Sequence, residues 1–501
     1  MPDLIRVKKK NHAVLNIECD PSVANELCDF FTFFVPGYKF MPAYKNKLWD
    51  GKIRLFDTRS KELYAGLFMY LQEFAAAEGR NYQIELEHDN YYGLPDTETP
   101  IDMSFMDSLQ LTSKGLKIDP RDYQLDAIYR GLSRKRGLLV SPTASGKSLI
   151  IYALLRWYLA NNDKRAIIIV PTTSLVRQMH SDFADYSLYD DGFDAEKNCH
   201  MIYAGRPKFA ESERVIITTW QSIYKLPTQW FEQFGMVVGD EAHNFKAKSL
   251  TSILTKCKEA EYRFGTTGTL DGTQTHKLVL EGLFGPAYYV TTTKSLMDSG
   301  ALADLDINVL LMKYSDEVRK AFGKKQYSDE MDFIVRHEKR NNFITNLALD
   351  LDGNSLVLFQ YVEKHGKPLY DLIKNKAHSR RKVFYVSGET GVDVREEIRR
   401  ITEGEKNAII VASLGTFSTG INIRNLHNII FASPSKSQIK ILQSIGRGLR
   451  RSEDGRTTRL YDLADDLSWK ARKNYTLTHA GERIKIYTRE KFNYKIYEID
   501  L

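Results

Sequence analysis

Leu138 to Ile150 reads LLVSPTASGKSLI. The run Gly137–Val140 is short, apolar and strand-like, and SLIIYALLRWYLA (Ser148–Ala160) has the apolar density of a buried helix. Between them lies a loop ending in Gly146-Lys147-Ser148. Loop amides and a helix N-terminus direct partial positive charge at one point, which suits a polyphosphate. Gly146 allows close backbone approach, Lys147 would reach the β- and γ-phosphates, and Ser148 would hold Mg²⁺. Ser141 stands where such loops usually open with glycine; Pro142 and the small Thr143, Ala144 and Ser145 still permit a tight turn around the phosphates.

About ninety residues on, VVGDEAHNF (Val237–Phe245) is an apolar strand ending in paired carboxylates. At the C-terminal edge of a parallel sheet, Asp240 would complete the Mg²⁺ site and Glu241 would polarise an attacking water. His243 has no second histidine at helical spacing, so a zinc-protease reading fails.

Outward from these two stretches the texture repeats. RAIIIVPT, RVIITT and RFGTTGT, then SLVLFQ, KVFYVSG, NAIIVAS, NIIFASP and TRLYDLADD, are β-rich runs separated by helical stretches. Continuous apolar strands alternating with helices predict parallel sheets buried on both faces, here two in tandem. The expected organisation is a small α+β N-terminal domain over residues 1–95, a turn-rich acidic linker at 96–112, α/β domains at 113–301 and 302–466, and a short C-terminal appendage at 467–501.

The chain has 501 residues, a net charge of +7 and 43% hydrophobic residues, so large cores are possible and any basic surface must be local. Cys19, Cys28, Cys199 and Cys257 lack C-x-x-C spacing, against a disulfide framework or zinc site. No apolar stretch approaches membrane-spanning length, and a cytoplasmic protein is expected.

The motifs resemble, in order, those of superfamily-two, DEAH-box-like helicases. The resemblance implies two tandem RecA-like domains and ATP-dependent DNA helicase activity with ATP and Mg²⁺. RDYQ is similar to the adenine-reading element, which implies Tyr123 stacking and Gln124 hydrogen bonding. VPTTSLVRQM (Thr172, Arg177) and TTWQSI (Thr219, Gln221) resemble strand-contacting motifs. GTTGTL resembles the motif that couples nucleotide to nucleic acid, through Thr267 and Thr269. ASLGTFSTGINI resembles the motif bearing Thr416, Thr419 and Gly420, and QSIGRGLR the one whose Gln443, Arg447 and Arg450 face the γ-phosphate. The flanks GYKFMPAYKNKLWDGKIRLFD and REKFNYKIYEIDL resemble those of the recombination and repair helicases of T-even-type bacteriophages. That family implies a monomer in the host cytoplasm acting on single-stranded and branched DNA and on RNA–DNA hybrids: fork regression, Holliday-junction branch migration and R-loop unwinding. A duplex translocase that parts no strands and an RNA-directed DEAH-type ATPase share the motifs and remain alternatives.

In the N-terminal flank, Lys39, Lys45, Lys47, Lys52 and Arg54 face only Asp50 as an acid, with Phe40, Tyr44, Trp49 and Phe56 interleaved. Cations bind phosphates and exposed aromatics stack on unpaired bases. Alternatively, Trp49 and Phe56 are core with the lysines outside. Asp50-Gly51 is a turn signal that would set Trp49 and Lys52 at a hairpin tip.

Overall fold

A computed structural model describes the chain apart from residues 1–2, 89–90, 93, 95–97, 246–247, 271–272, 324, 379–380, 421–422, 424, 435–444, 447–448 and 450–456; of 248, 274–275, 392 and 418–420 it describes the backbone alone. The chain divides into two compact units, Met1–Ser141 with Gly146–Val290, and Pro142–Ser145 with Thr291–Leu501.

The first unit holds two sheets. The N-terminal one runs Phe56–Asp57, Glu62–Tyr64, Val14–Glu18, Asp3–Lys9, Tyr82–Leu86, antiparallel except for the last pair. Asp3–Lys9 alternates buried Ile5 and Val7 with solvent-facing Leu4 and Arg6, the period of a strand covered on one face. The second sheet has seven parallel strands in the order Cys199–Ile202, Val215–Thr219, Arg165–Val170, Phe234–Asp240, Tyr262–Thr267, Arg136–Val140, Ala287–Tyr289. Its central strands are buried along their whole length, because helices cover both faces. Met106, Leu109 and Leu111, in the segment expected to be a linker, belong to that core.

The N-terminal sheet is docked on this domain. Gly66 lies so close to the Glu281 carbonyl that any Cβ would overlap it, and the Tyr70 hydroxyl donates to Glu281 Oε2 at 2.6 Å. Leu67, Phe68, Leu280 and Leu283 share one apolar core.

The second unit carries another seven-stranded parallel sheet: Val383–Val386, Ile409–Ser413, Ser355–Phe359, Asn428–Phe431, Thr458–Asp466, Leu305–Lys313, Asn493–Asp500. The tail is thus more than an appendage: Asn493–Asp500 pairs along Leu305–Lys313, and the helix Tyr475–Arg489 packs beside it. Asp462 and Asp465 lie three apart on one strand and so face opposite sides. The single Arg483 Nε–H is shared between both oxygens of Asp462 at 2.8 and 3.0 Å, and Arg340 donates from Nε and Nη2 to Asp465 at 2.7 and 3.0 Å, all four fully buried. Burial alone would lower both guanidinium pKa values; the facing carboxylates more than reverse this. Each pair clamps a helix to one face. Two parallel sheets layered between helices are tandem RecA-like domains. Among the described residues no helix is long and apolar enough to cross a membrane.

Candidate nucleotide site and nucleic-acid track

Parallel strands bring their C-terminal ends to one edge, and that edge of the seven-stranded sheet in the first unit collects the motifs. Ser141 follows Val140, Thr172 follows the strand ending at Val170, and Thr219, Asp240 and Thr267 each end a strand.

The phosphate loop begins with the Ser141 N–H donating to the Thr267 carbonyl at 2.8 Å. Ser145 closes the turn, its hydroxyl donating to the Pro142 carbonyl at 2.6 Å. Ala144 and Gly146 have φ of +67° and +84°, in the left-handed region. At Gly146 a Cβ would also collide with Gln124 Nε2. The helix Lys147–Asn161 starts there, its first intrahelical bond running from Ile150 N–H to Gly146 O at 3.1 Å. The first-turn amides therefore precede the ladder and face the loop. Lys147 Nζ donates to the Ser141 carbonyl at 3.2 Å, and Ser148 Oγ lies 2.8 Å from the Tyr186 hydroxyl.

Asp240 is buried. Burial, then the neighbouring Glu241 carboxylate, raises its carboxyl pKa, while Lys147 and Thr266 oppose the shift. Asp240 and Thr266 are register partners, and the Thr266 hydroxyl donates to Asp240 Oδ1 at 2.6 Å. Glu241 has φ +50°, a left-handed turn that re-aims its side chain as the strand ends. Its Oε2 lies 3.3 Å from His243 Nδ1, which is 3.1 Å from Thr267 Oγ1; Thr267 in turn donates to the Thr269 carbonyl at 3.0 Å. A polar chain thus runs from the paired carboxylates to the GTTGTL segment. The Thr269 hydroxyl is buried and has no hydrogen-bond partner among the described residues.

Gln124 is also buried; its Oε1 accepts the Arg121 N–H at 2.9 Å, which leaves Nε2 against the loop glycine. The Tyr123 hydroxyl accepts from Arg121 Nη1 at 3.0 Å.

Along the same edge, Thr172 caps the helix Thr173–Tyr186, accepting from the Leu175 N–H at 3.4 Å. Thr219 Oγ1 pairs with Ser222 Oγ at 2.9 Å, and Gln221 is exposed. The Arg177 and Arg206 guanidiniums each lie 5.5 Å from the centre of the Tyr203 ring and hold its phenol pKa below the usual value, Arg177 first. Tyr203 and Arg206 carry no motif signature and are visible only in three dimensions. In the second unit, Thr416, in the helix that follows the strand Ile409–Ser413, accepts from the Ser413 hydroxyl at 2.7 Å.

Three family models match the chain: the N-terminal domain of DNA helicase UvsW at residues 4–87, the res subunit of type III restriction enzymes at 117–272, and the helicase conserved C-terminal domain at 338–452. The ATP-dependent DNA helicase uvsW of Enterobacteria phage T4 is 36% identical over 510 residues, spanning 99% of this chain and 100% of its own. The chain belongs to the UvsW family of DNA helicases. The crystal structure of T4 UvsW superposes with a TM-score of 0.52 at 34% identity over 100% of both chains. A more distant similarity, 22% over 390 residues, covers 72% of this chain and 84% of the DNA 3'-5' translocase XPB2 of Sulfurisphaera tokodaii. As a UvsW-family member the protein is an ATP-dependent DNA helicase.

In this UvsW-family chain the N-terminal residues expected to meet DNA divide in two groups. Phe56 is core, and Trp49 is half-buried with its indole N–H donating to the Lys52 carbonyl at 2.8 Å. Lys45 is exposed, Lys52 partly so, and Arg54 is paired with Asp50 at 2.5 Å. Asp50-Gly51 does not form a two-residue hairpin tip. Thr32–Phe34 pairs with Lys52–Arg54, Phe34 opposite Lys52, and residues 35–51 all lie between. Gly51, at φ +81°, is there because the Tyr38 ring covers it and leaves no room for a Cβ. Gln443, Arg447 and Arg450 lie outside the described residues, and Thr419 and Gly420 are described by backbone alone.

Proposed function

We propose that ATP is held by Thr143, Ser145, Gly146, Lys147 and Ser148, with Tyr123 and Gln124 at the base and Gly420 contributed by the second helicase domain. Ser148 and Asp240 would hold Mg²⁺. A hydroxyl and a carboxylate are the hard oxygen donors that ion takes while keeping most of its waters, and a Ser148 hydroxyl bonded to Tyr186 retains lone pairs for it. The cation would neutralise charge on the phosphates. Glu241 takes the proton of the attacking water, and Lys147, Gln443, Arg447 and Arg450 stabilise charge on the γ-phosphate. The run of polar contacts from Glu241 to His243 and on to Thr267 and Thr269 is the observation that carries this reading. Strand contact falls to Thr172, Arg177, Thr219, Gln221 and Thr416. The substrates are branched DNAs and RNA–DNA hybrids in the host cytoplasm, with fork regression, branch migration and R-loop removal as products.

Lys147→Ala and Glu241→Gln test the site: both should lose DNA-stimulated ATPase, with Glu241→Gln still binding nucleotide. Normal turnover in both refutes the assignment. ATPase and product formation on single-stranded, duplex, forked, four-way and RNA–DNA substrates test the function. Duplex stimulation without strand products would instead identify a duplex translocase, and stimulation by RNA alone an RNA-directed ATPase.

A further inference from the structure

One face of the second unit's sheet changes character along its strands. Toward the strand ends, on the face that carries Asp465, Leu310, Met312 and Leu463 pack with Ile334 and Ile344 of the helices Tyr327–Arg336 and Glu338–Asp350. Nearer the strand starts the same face is open. In register across three strands stand Arg459, Asp306 and Asn493, and in the next row of that face Tyr461, Asn308 and Lys495, followed on the edge strand by Tyr497. Tyr461 and Asn308 are half-buried and the other five are exposed, while the intervening Leu305, Ile307, Thr458 and Leu460 are buried on the opposite face. These rows line a cleft of about 410 Å³, within the range of sites for small ligands.

A sheet face that meets only water needs no aromatic rings, yet Tyr497 is 44% exposed here. Burial raises the Tyr461 phenol pKa, Arg459 opposes the shift and Tyr497 adds to it, so both lie within electrostatic reach of that hydroxyl. Rings, cations and side-chain amides on one face are the groups that hold an unpaired nucleotide: a ring meets the base face, a cation the phosphate and an amide the base edge. Asp306, the acid among the lining residues, matches an exocyclic amino group. In a duplex the base faces are stacked and hidden, so the complement is a single strand. The rows lie five to seven residues, roughly 16–23 Å, before the strand end at Lys313. They are therefore remote from the C-terminal edge of this sheet, where Thr416 follows its strand.

We propose that this face is a second site for single-stranded DNA, apart from the motif track. Tyr461 and Tyr497 take the base faces, Arg459 and Lys495 the phosphates, and Asn308, Asn493 and Asp306 the base edges. A helicase that parts a duplex releases two strands, and such a site holds the one that the motif track does not. The proposal asks nothing of the branched-DNA reading.

The test uses the full chain and an oligothymidylate of about eight nucleotides. Wild type should bind two per chain at saturation, and the same oligonucleotide carrying 5-iodouracil should photocrosslink at Tyr461 or Tyr497. Lys495→Ala with Tyr497→Ala, both on the exposed edge strand, should weaken the second binding event tenfold or more while the thermal midpoint holds. Arg459→Glu should weaken it likewise, and Tyr497→Phe should retain it. One oligonucleotide per chain in wild type overturns the second site. Two bound with unchanged affinity by both the double variant and Arg459→Glu, or no crosslink at either tyrosine, overturns its assignment to this face and leaves the face to a protein partner. Equal competition for the crosslink by a blunt duplex overturns the single-strand reading.

Discussion

Gly146→Ala separates two costs that act at one atom. The first is conformational: φ is +84°, and a Cβ in the left-handed region costs about 1–2 kcal/mol. The second is steric: the new methyl overlaps Gln124 Nε2. That amide is the end of a flexible side chain and can swing aside, but only by giving up the bond from the Arg121 N–H at 2.9 Å, worth about 1 kcal/mol. The variant need not unfold, because the loop can relax; the penalty then falls on the binding-competent conformation and weakens nucleotide affinity by that factor. Together the costs come to roughly 2–3 kcal/mol, or about a 30- to 150-fold rise in the Kd of a fluorescent ATP analogue. In a Gln124→Ala background the steric part is already gone. The same glycine substitution should then cost only about 1–2 kcal/mol, roughly 5- to 30-fold. The cycle is measured on four proteins by titration, with circular dichroism to show equal folding. Equal penalties in both backgrounds would mean that Gln124 does not cover the loop glycine. No penalty in either would mean that the loop does not hold the left-handed turn described here.

Thr266→Val keeps the shape and removes the donor to Asp240; losing a bond to a charged group costs about 1.5–3 kcal/mol, so saturated ATPase turnover should fall roughly 10- to 150-fold, and a change under twofold refutes the positioning role. Arg483→Met strands Asp462 in the sheet of the second unit and should cost about 3–5 kcal/mol, read as a drop of roughly 6–20 °C in that unit's thermal midpoint, with Asp462→Leu added recovering most of it. His365 is fully buried between Ser433 and Asn341, and burial, then Arg340, pushes its pKa down to about 3. The folded state therefore refuses a proton that the unfolded chain takes below pH ~6.5, so stability present at neutral pH is lost as the medium is acidified from there toward pH 3. Denaturant titrations from pH 7 to 4 should show this slope, and His365→Gln should flatten it.

Much of the helicase body was legible because its strands are locally encoded. RAIIIV and MVVGD are apolar without alternation, the pattern of strands covered on both faces, and the motifs fall where such strands end. What could not be read depends on contacts between distant segments. The Thr266–Asp240 bond exists only once two strands take their register. Asn493–Asp500 is exposed along most of its length, and its partner strand lies nearly two hundred residues earlier, so nothing local marks it as the edge of a sheet. In the N-terminal segment 35–51, aromatic spacing drew attention to Trp49, yet the fold half-buries that indole and leaves Phe40 and Leu48 outside. Close to Trp49 in the chain, Gly51 lies under the Tyr38 ring, a contact between residues thirteen apart that no local pattern shows.

The helix Gln274–Phe284 joins two features that were described separately. Near its C-terminal end Glu281 holds the N-terminal domain, through the backbone approach of Gly66 and the hydroxyl of Tyr70. Five residues earlier, about 7.5 Å along the axis, His276 Nε2 donates to the carbonyl of His243 at 3.0 Å, in the turn that carries Glu241. A domain fixed by backbone contact has no pivot with which to absorb load. Force applied to it is delivered to one rigid bar, whose other end rests on the turn after Asp240. In mechanical terms the N-terminal domain is a fixed tool mounted on the first helicase domain, and load on the tool and displacement of the turn at Glu241 are carried by the same helix.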